Sequence, residues 1–517
     1  MSPGVEISKK LVLINSASTL VRRALSITVL FWMHQYLLKR IPIEEYALLP
    51  VLMGVIAFTP LLSTLLAGGL GRYMTEAYAR HDERRVTEIC STMTPLLVGA
   101  ALLLACCGAL FTWKIDAVLD IAPDQVENAR RLFTLLLIGA VVRVAVAPFL
   151  LGFYIRQKLV QRDLIGFGVE LVRIAILFVL LTQFEARILW VVVASLTANL
   201  LEMGIVFVRS RALLPALRFR MAAMRRDVLG PVLSYGSWTI LGQLSWMLRE
   251  MMDPIILNKM AGPSDVATFS LGSQVDRQLR RTLAGATAVT QQAATAMVAT
   301  DQGERLRGTW LRLSRYSLWT LLGAAAPLVV YRVEFFQLYL GEALAKTPKA
   351  PVVLAILLSR YLVLFPNAGT GILTMAKAEM RPAALRGIAL ELSNLALTLV
   401  LVGVFSMGSV GSALATTIVC AVGHPLLLWP LGLRFSGASL SLWWRTSIRP
   451  GLVPMLVALP VWLAIHVWLA PTTIVGLGVA FGAGWVAYSI GLFFSLRPED
   501  RRDFAAALSR VRVRLRS

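Results

Sequence analysis

The sequence is poor in charge. Only 15% of its 517 residues are Asp, Glu, Lys or Arg, where a soluble protein of this length carries about a quarter. That deficit excludes an ordinary water-soluble globule. Acidic residues are the scarcer sign, 29 against 51 Lys plus Arg. Cysteine is limited to Cys90, Cys106, Cys107 and Cys420. Their spacing fits neither a metal site nor a disulfide framework, so all four are expected to be small buried apolar residues. The chain has no GxxxxGK[ST] run, which excludes a P-loop ATPase. It has no HExxH and no Cys/His cluster, which argues against a metal enzyme. No loop is long enough to house a catalytic domain; the longest outer one falls near 114–130. The N-terminus does not read as a cleavable signal, because Arg22 and Arg23 interrupt the apolar run that follows Lys9 and Lys10.

What the chain does have is hydrophobic length. Hydrophobic residues make up 57% of it, and the mean hydropathy is +0.70. Apolar runs of roughly 20 residues, enough to cross a bilayer as a helix, recur from end to end. The fold class read from this is an all-α polytopic membrane protein with about fourteen transmembrane helices. The spans are placed near 11–38, 45–69, 91–113, 131–153, 163–183, 187–208, 229–258, 264–297, 314–334, 350–375, 384–405, 409–432, 451–470 and 473–496. Lys and Arg concentrate in alternate loops: Arg72 to Arg85, Arg156 to Arg162, Arg209 to Arg226, Arg305 to Arg315, and the basic tail. By the positive-inside rule these loops and both termini are cytoplasmic. The net charge of +22 is therefore a consequence of topology, not a nucleic-acid footprint.

The stretch "RSRALLPALRFRMAAMRR" (209–226) alternates basic and apolar residues. It reads either as a segment lying on the anionic inner leaflet or as a solvated basic linker. It also sits between two halves that repeat: "LLKRIPIEEYALLPVLMG" (37–54) recurs as "ILNKMAGPSDVATFSLGS" (256–273), and "RHDERRV" (80–86) as "TDQGERL" (300–306). The expected organisation is an N-lobe at 1–208, an amphipathic linker at 209–228, a C-lobe at 229–432, two further spans in 433–496, and a basic tail at 497–517. Such repeats are typical of transporters, whose substrate site lies between the halves.

Arginine also occurs inside the spans, at Arg22, Arg23, Arg143, Arg173, Arg249, Arg277, Arg280, Arg281 and Arg360. Facing lipid, each would cost about 2.5–3.5 kcal/mol, so the set would exceed a net stability of about 5–15 kcal/mol. Most must therefore meet counter-ions or a hydrated interior. In "SLGSQVDRQLRRTLAGA" (270–286), Gln274, Asp276, Arg277, Arg280 and Arg281 spread over one broad face. Asp276 and Arg280 are spaced to pair, leaving Arg277 and Arg281 uncompensated. The first span stacks Asn15 and Arg22 on one face with Arg23 beside them. On the seventh, Glu250 and Asp253 share a face, and Arg249 is spaced to pair with Asp253. Arg143, Arg173 and Arg360 read as structurally paired, Arg173 with Glu170. His424 and His466 are expected to be hydrogen-bonded within the bundle.

The substrate-binding candidates are thus Arg22, Arg23, Arg277, Arg280, Arg281, Arg249, Asn15 and Gln274. Glu250, Asp253 and Asp276 are candidates for ion coupling or for plain pairing. The residues call for no cofactor and leave a coupling proton or Na⁺ open.

The run "RIPIEEYALLPVLMGVIAFTPLLSTLLAGGLGRYMTEAYARHDERR" (40–85) resembles the second-helix region of polysaccharide exporters. "MMDPIILNKMAGPSDVATFSLGSQV" (251–275) resembles their turn between helices seven and eight. With the span number and the half repeat, the chain is similar to the multidrug/oligosaccharidyl-lipid/polysaccharide exporter superfamily, nearest the Wzx-type flippases of polyprenyl-diphosphate-linked glycans. It departs from their R-x-L-G pattern after the first helix, reading "RIPIEEY", which leaves the glycan open. The resemblance implies two six-helix lobes around a cationic cavity that opens alternately to each side. It places cavity cations at Arg22, Arg23, Arg277, Arg280 and Arg281.

The function expected is therefore flipping of a lipid-linked oligosaccharide, such as an O-antigen or exopolysaccharide unit, across a bacterial inner membrane, and not catalysis. A lipid II flippase would share every argument. A cation-coupled drug exporter would need carboxylates in its first half, and the first span, with two arginines and no acid, counts against it. A glycan polymerase or ligase would need an outer loop and catalytic carboxylates. The partners expected are the lipid-linked glycan, anionic lipids and, left open, assembly enzymes such as a polymerase or an initiating transferase. The transport unit is expected to be monomeric, with no nucleic acid.

Overall fold

The computed structural model describes residues 28–59, 70–156, 158–377 and 379–503. These are helical almost throughout, with no β-strand among the described residues. Among the described residues ten helices are long and apolar enough to cross a membrane: Glu83–Trp113, Pro123–Ile155, Val160–Gln183, Ile188–Leu213, Gly303–Val330, Ala350–Ala376, Met380–Val404, Gly408–Ser436, Leu440–Leu469 and Ile474–Ser495. Each corresponds to a span read from the sequence. Two more of the expected spans form the helices Leu229–Met260 and Pro263–Ala299, of 32 and 37 residues. At about 1.5 Å per residue both exceed the roughly 30 Å of hydrocarbon. They are less apolar than the other ten because polar residues run along one face. The second expected span begins as helix Ile43–Ile56; most of the first, and residues 60–69, lie outside the described residues.

The chain divides into two compact units, 1–267 and 268–517. In the first, helix Glu83–Trp113 is the organising element. Asp82 caps its start, accepting a hydrogen bond from the Arg85 N–H at 2.8 Å, and Glu83 places a negative charge in the first turn, both favourable at a helix N-terminus. Its inward face supplies Val86, Ile89, Cys90, Met93 and Leu97 to a core shared with Leu70, Met74, Val144 and Ile155. The linker closes that core with Leu214, Leu217 and Val228. Gly108 lets the neighbouring helix approach: a Cβ there would lie 2.4 Å from Leu137 Cδ1. Small residues are what membrane helices use for such contacts. The linker itself is fastened down. Thr87 Oγ1 donates to the Ala216 carbonyl, and Ser91 and Thr92 Oγ accept from the Arg220 and Arg225 N–H groups. Buried Glu45 accepts from the Ile188 N–H at 2.8 Å, serving the N-terminus of helix Ile188–Leu213.

In the second unit Gly303–Val330 is the most enclosed span, with 67% of its apolar window buried against 17% for Leu440–Leu469. The last two spans are stitched to it by polar donors. Trp319 donates to the Pro450 carbonyl, Tyr331 to Trp462, Tyr488 to Trp319 and Trp485 to Gly323. His466 Nδ1 lies 2.9 Å from Glu334 Oε1 on the short helix Arg332–Leu340, but it makes no hydrogen bond there, so the contact is an approach to an acid and not the hydrogen bond expected. At the other end, buried Arg315 pairs with buried Asp500 and donates to the Thr446 carbonyl. Tyr316 donates to Asp500 and Asp503. Residues 497–503 of the expected basic tail are therefore docked, through their acids.

The half repeat is visible in the backbone. His81 and Asp301, equivalent in "RHDERRV" and "TDQGERL", both take a left-handed conformation, φ 60° and 51°. In each case the following N–H bonds back five residues, Asp82 to the Ala77 carbonyl and Gln302 to Met297, a helix-ending motif that satisfies orphan carbonyls. The cysteine reading needs one correction. All four are free, but Cys106 and Cys107 are exposed while Cys90 and Cys420 are buried, because the first two sit on the outer face of their helix.

Candidate functional site

Helix Pro263–Ala299 changes character along its length. Ser273, Gln274, Val275 and Asp276 are buried, Arg277 and Arg280 half-buried, and Arg281 exposed. Asp276 is the pivot. Its Oδ2 accepts from Arg280 Nε at 3.1 Å, the i,i+4 contact predicted from spacing. The same oxygen accepts from Arg360 Nη2 at 2.7 Å. The Tyr361 hydroxyl donates to the Asp276 carbonyl at 3.2 Å. One carboxylate is thus shared between two guanidiniums, and its Oδ1 is buried with no hydrogen bond.

Arg277 is held against its own helix, with Nη2 donating to the Ser270 carbonyl at 2.9 Å and to Gln274 Oε1 at 3.0 Å, and Nη1 donating to Ser273 Oγ. Gln274 therefore acts on Arg277. Arg281 has no ion pair or hydrogen bond among the described residues. Arg277, Arg280, Arg281 and Arg360 thus gather around Asp276, and Arg277 and Arg280 hold further contacts besides. Guanidinium in such a setting offers planar, paired N–H donors that match phosphate oxygens. A cluster of arginines part-way along so long a helix makes it the candidate functional site.

The other candidates are placed differently. On helix Leu229–Met260, Arg249 is exposed, Glu250 half-buried and Asp253 buried. All three hold contacts with other groups. Asn15, Arg22 and Arg23 lie outside the described residues. Arg173 pairs with Glu170 through two hydrogen bonds, 2.9 and 2.6 Å. Arg360 is likewise paired, and its partner Asp276 makes it a member of the cluster that sequence spacing could not reveal. The signal available was its charge alone: a buried arginine requires an acid somewhere.

A family profile described as "Polysaccharide biosynthesis protein" matches residues 8–290, more than half the chain and past Arg281. The chain belongs to the polysaccharide biosynthesis protein family. It is 23% identical over 282 residues to the uncharacterized membrane protein EpsK of Bacillus subtilis (strain 168), a match covering 53% of this chain. The chain spans about half of that relative's length, 54%. In fold it is similar to a multidrug resistance MATE family transporter of the MOP superfamily in its inward-facing conformation, with TM-score 0.66 and 15% identity over 80% of this chain and 95% of that one. It is similar also to the lipid II flippase MurJ in an inward closed conformation, with TM-score 0.66 and 13% identity over 93% and 98% of the two chains. A MOP superfamily transporter from Pyrococcus furiosus, reported with a binding pocket of reverse polarity, gives TM-score 0.57 and 16% identity over 81% and 94%. This member of the polysaccharide biosynthesis family therefore has the fold of flippases and transporters, as its sequence resemblance implied.

Proposed function

We propose that the protein flips a polyprenyl-diphosphate-linked oligosaccharide, a polysaccharide repeat unit, from the inner to the outer leaflet of a bacterial inner membrane. The observation that supports this reading is the clustering of guanidiniums on and around helix Pro263–Ala299, where Asp276 serves Arg280 and Arg360 together. In this reading Arg277, Arg280 and Arg281 take the diphosphate from the cytoplasmic side, with Arg22 and Arg23 contributing from the first span. The prenyl chain stays in lipid, which needs no enclosed pocket. Binding neutralises the cluster, and two lobes then rock to face outward by alternating access. The interior-negative potential assists, because each negative charge carried fully outward gains about 2.3 kcal/mol per 100 mV. No chemical bond changes, so the chain acts as a carrier and needs no cofactor. Both termini are cytoplasmic in this arrangement.

Genetic complementation tests it. In cells that lack their own polysaccharide-unit flippase, the wild-type chain should restore surface glycan. R277A/R281A, present at the same level in the membrane, should not. Restoration by that variant sinks the assignment of the cluster to substrate.

A second reading, lipid II as cargo, is favoured by one observation: the likeness to MurJ extends over 93% of this chain, against 80% for the MATE transporter. Lipid II carries the same polyprenyl diphosphate, so the arginines serve both readings. Rescue of a peptidoglycan-flipping defect, with no rescue of the polysaccharide defect, would establish the second.

A further inference from the structure

The linker between helices Ile188–Leu213 and Leu229–Met260 presents an unusual surface. Arg218 and Arg220 are exposed and make no ion pair among the described residues. Between and beyond them the apolar side chains of Phe219, Met221 and Met224 are also exposed, at 44, 79 and 42%. A solvated basic linker would have no reason to hold three large apolar groups in water. Nor is the segment loose. The hydroxyls of Thr87, Ser91 and Thr92, on the first turns of spanning helix Glu83–Trp113, fix its backbone at Ala216, Arg218, Arg220 and Arg225.

The linker and that helix line an open cavity of about 630 Å³, bordered in part by Arg84, Arg218, Arg220 and Arg225. Two acids, Glu83 and Glu88, also line it. Glu88 is engaged by Arg84 at 3.3 Å and Arg85 at 3.0 Å. Arg218 and Arg220 remain to meet a ligand. The exposed apolar groups place that ligand at a membrane surface, and the sign of the charge makes it an anion.

We propose that the linker is a docking site for an anionic phospholipid of the cytoplasmic leaflet. Arg218 and Arg220 take the headgroup phosphate at the cavity, while Phe219, Met221 and Met224 enter the acyl boundary beside it. Interleaving of basic and apolar side chains suits a surface that is charged outside and oily within. Because the linker is nailed to helix Glu83–Trp113, a bound lipid would hold the end of that span at a fixed depth. This site is separate from the arginine cluster on helix Pro263–Ala299 and does not depend on what is transported.

The test is native mass spectrometry of the purified full chain in an equimolar mixture of phosphatidylglycerol and phosphatidylcholine. The wild type should retain phosphatidylglycerol in preference. R218A/R220A should lose that retention by about fivefold for each arginine removed, and R218K/R220K should keep most of it. A large excess of inorganic phosphate should not displace the lipid. Equal retention by wild type and R218A/R220A, equal retention of the two lipids, or displacement by inorganic phosphate would each overturn the proposal. A photoactivatable phosphatidylglycerol on the unsubstituted chain needs no variant: it should label residues 215–225, and labelling confined elsewhere would overturn it too.

Discussion

Arg360 donates to Asp276 at 2.7 Å across 84 residues of sequence. The two are 7% and 1% exposed at their side chains, and the carboxylate oxygen that joins them is the one Arg280 also uses. A shared acceptor fixes two elements together, so one buried acid holds two arginines in place.

Removing that acid should be costly. Asp276→Ala leaves two guanidiniums without their carboxylate, and breaking one side of a buried pair costs about 3–5 kcal/mol. Thermal unfolding of the purified protein should show a large drop for D276A. A smaller drop is expected when Asp276→Leu is combined with Arg360→Met, because no buried charge is then orphaned at Arg360. Equal losses in the single and double variants would contradict the pairing.

A similar argument applies to the tail. Arg315 and Asp500 are 1% and 0% exposed, so R315M should destabilise the second unit by about 3–5 kcal/mol. Ending the chain after Leu496 should have much the same effect, since it removes Asp500 and Asp503 together. Both variants should also speed proteolysis near Arg445, whose carbonyl accepts from Arg497. An unchanged melting temperature in both would contradict a structural role for the docked acids.

Close packing predicts a third effect. A Cβ at Gly484 would lie 1.8 Å from Trp462 Nε1, and Trp462 is fully buried. Gly484→Ala should therefore cost about 1–3 kcal/mol through overpacking, read as a lower melting temperature. Gly478→Ala meets nothing within 4 Å and should be close to neutral.

The latch of the linker has a pH dependence of known sign. The hydrogen bond from Arg85, 2.8 Å away, holds the Asp227 carboxyl below its ordinary value. Its contribution is complete above the unfolded carboxyl value of about 3.9. It is lost only as pH falls through the lowered folded value. Tryptic cleavage in the linker should thus show no change attributable to Asp227 between pH 7 and 8.5. Asp227→Asn should raise the cleavage rate at both. A rate in D227N equal to wild type would show that the pair does not restrain the linker.

Much of this architecture was legible in advance, and the missed pairings have one cause. Span length and hydropathy located the ten apolar helices, because a bilayer imposes both. The pairs Asp276–Arg280 and Glu170–Arg173 followed from helical spacing, which is a local rule. Arg360 could be read as paired but not with what, since its acid is brought in by tertiary packing. Arg315 counted only as a positive-inside residue, and the tail only as basic. Nothing in local spacing joins Arg315 to Asp500, 185 residues on. The linker's alternation of basic and apolar residues suited two states, a leaflet-bound segment or a solvated one. The hydroxyls that fasten it belong to a helix more than a hundred residues earlier. The candidates on the first span, Asn15, Arg22 and Arg23, lie outside the described residues and rest on sequence alone.

The central claim is that the arginines of helix Pro263–Ala299 recognise a lipid-linked diphosphate. The most direct measurement is flipping of a fluorescent polyprenyl-diphosphate oligosaccharide in reconstituted vesicles, comparing wild type, R277A/R281A and a cationic dye as alternative cargo. The account predicts rapid flipping by wild type, loss of at least about tenfold in the variant, and no transport of the dye. Undiminished flipping by R277A/R281A, or transport of the dye in place of the lipid, would contradict it.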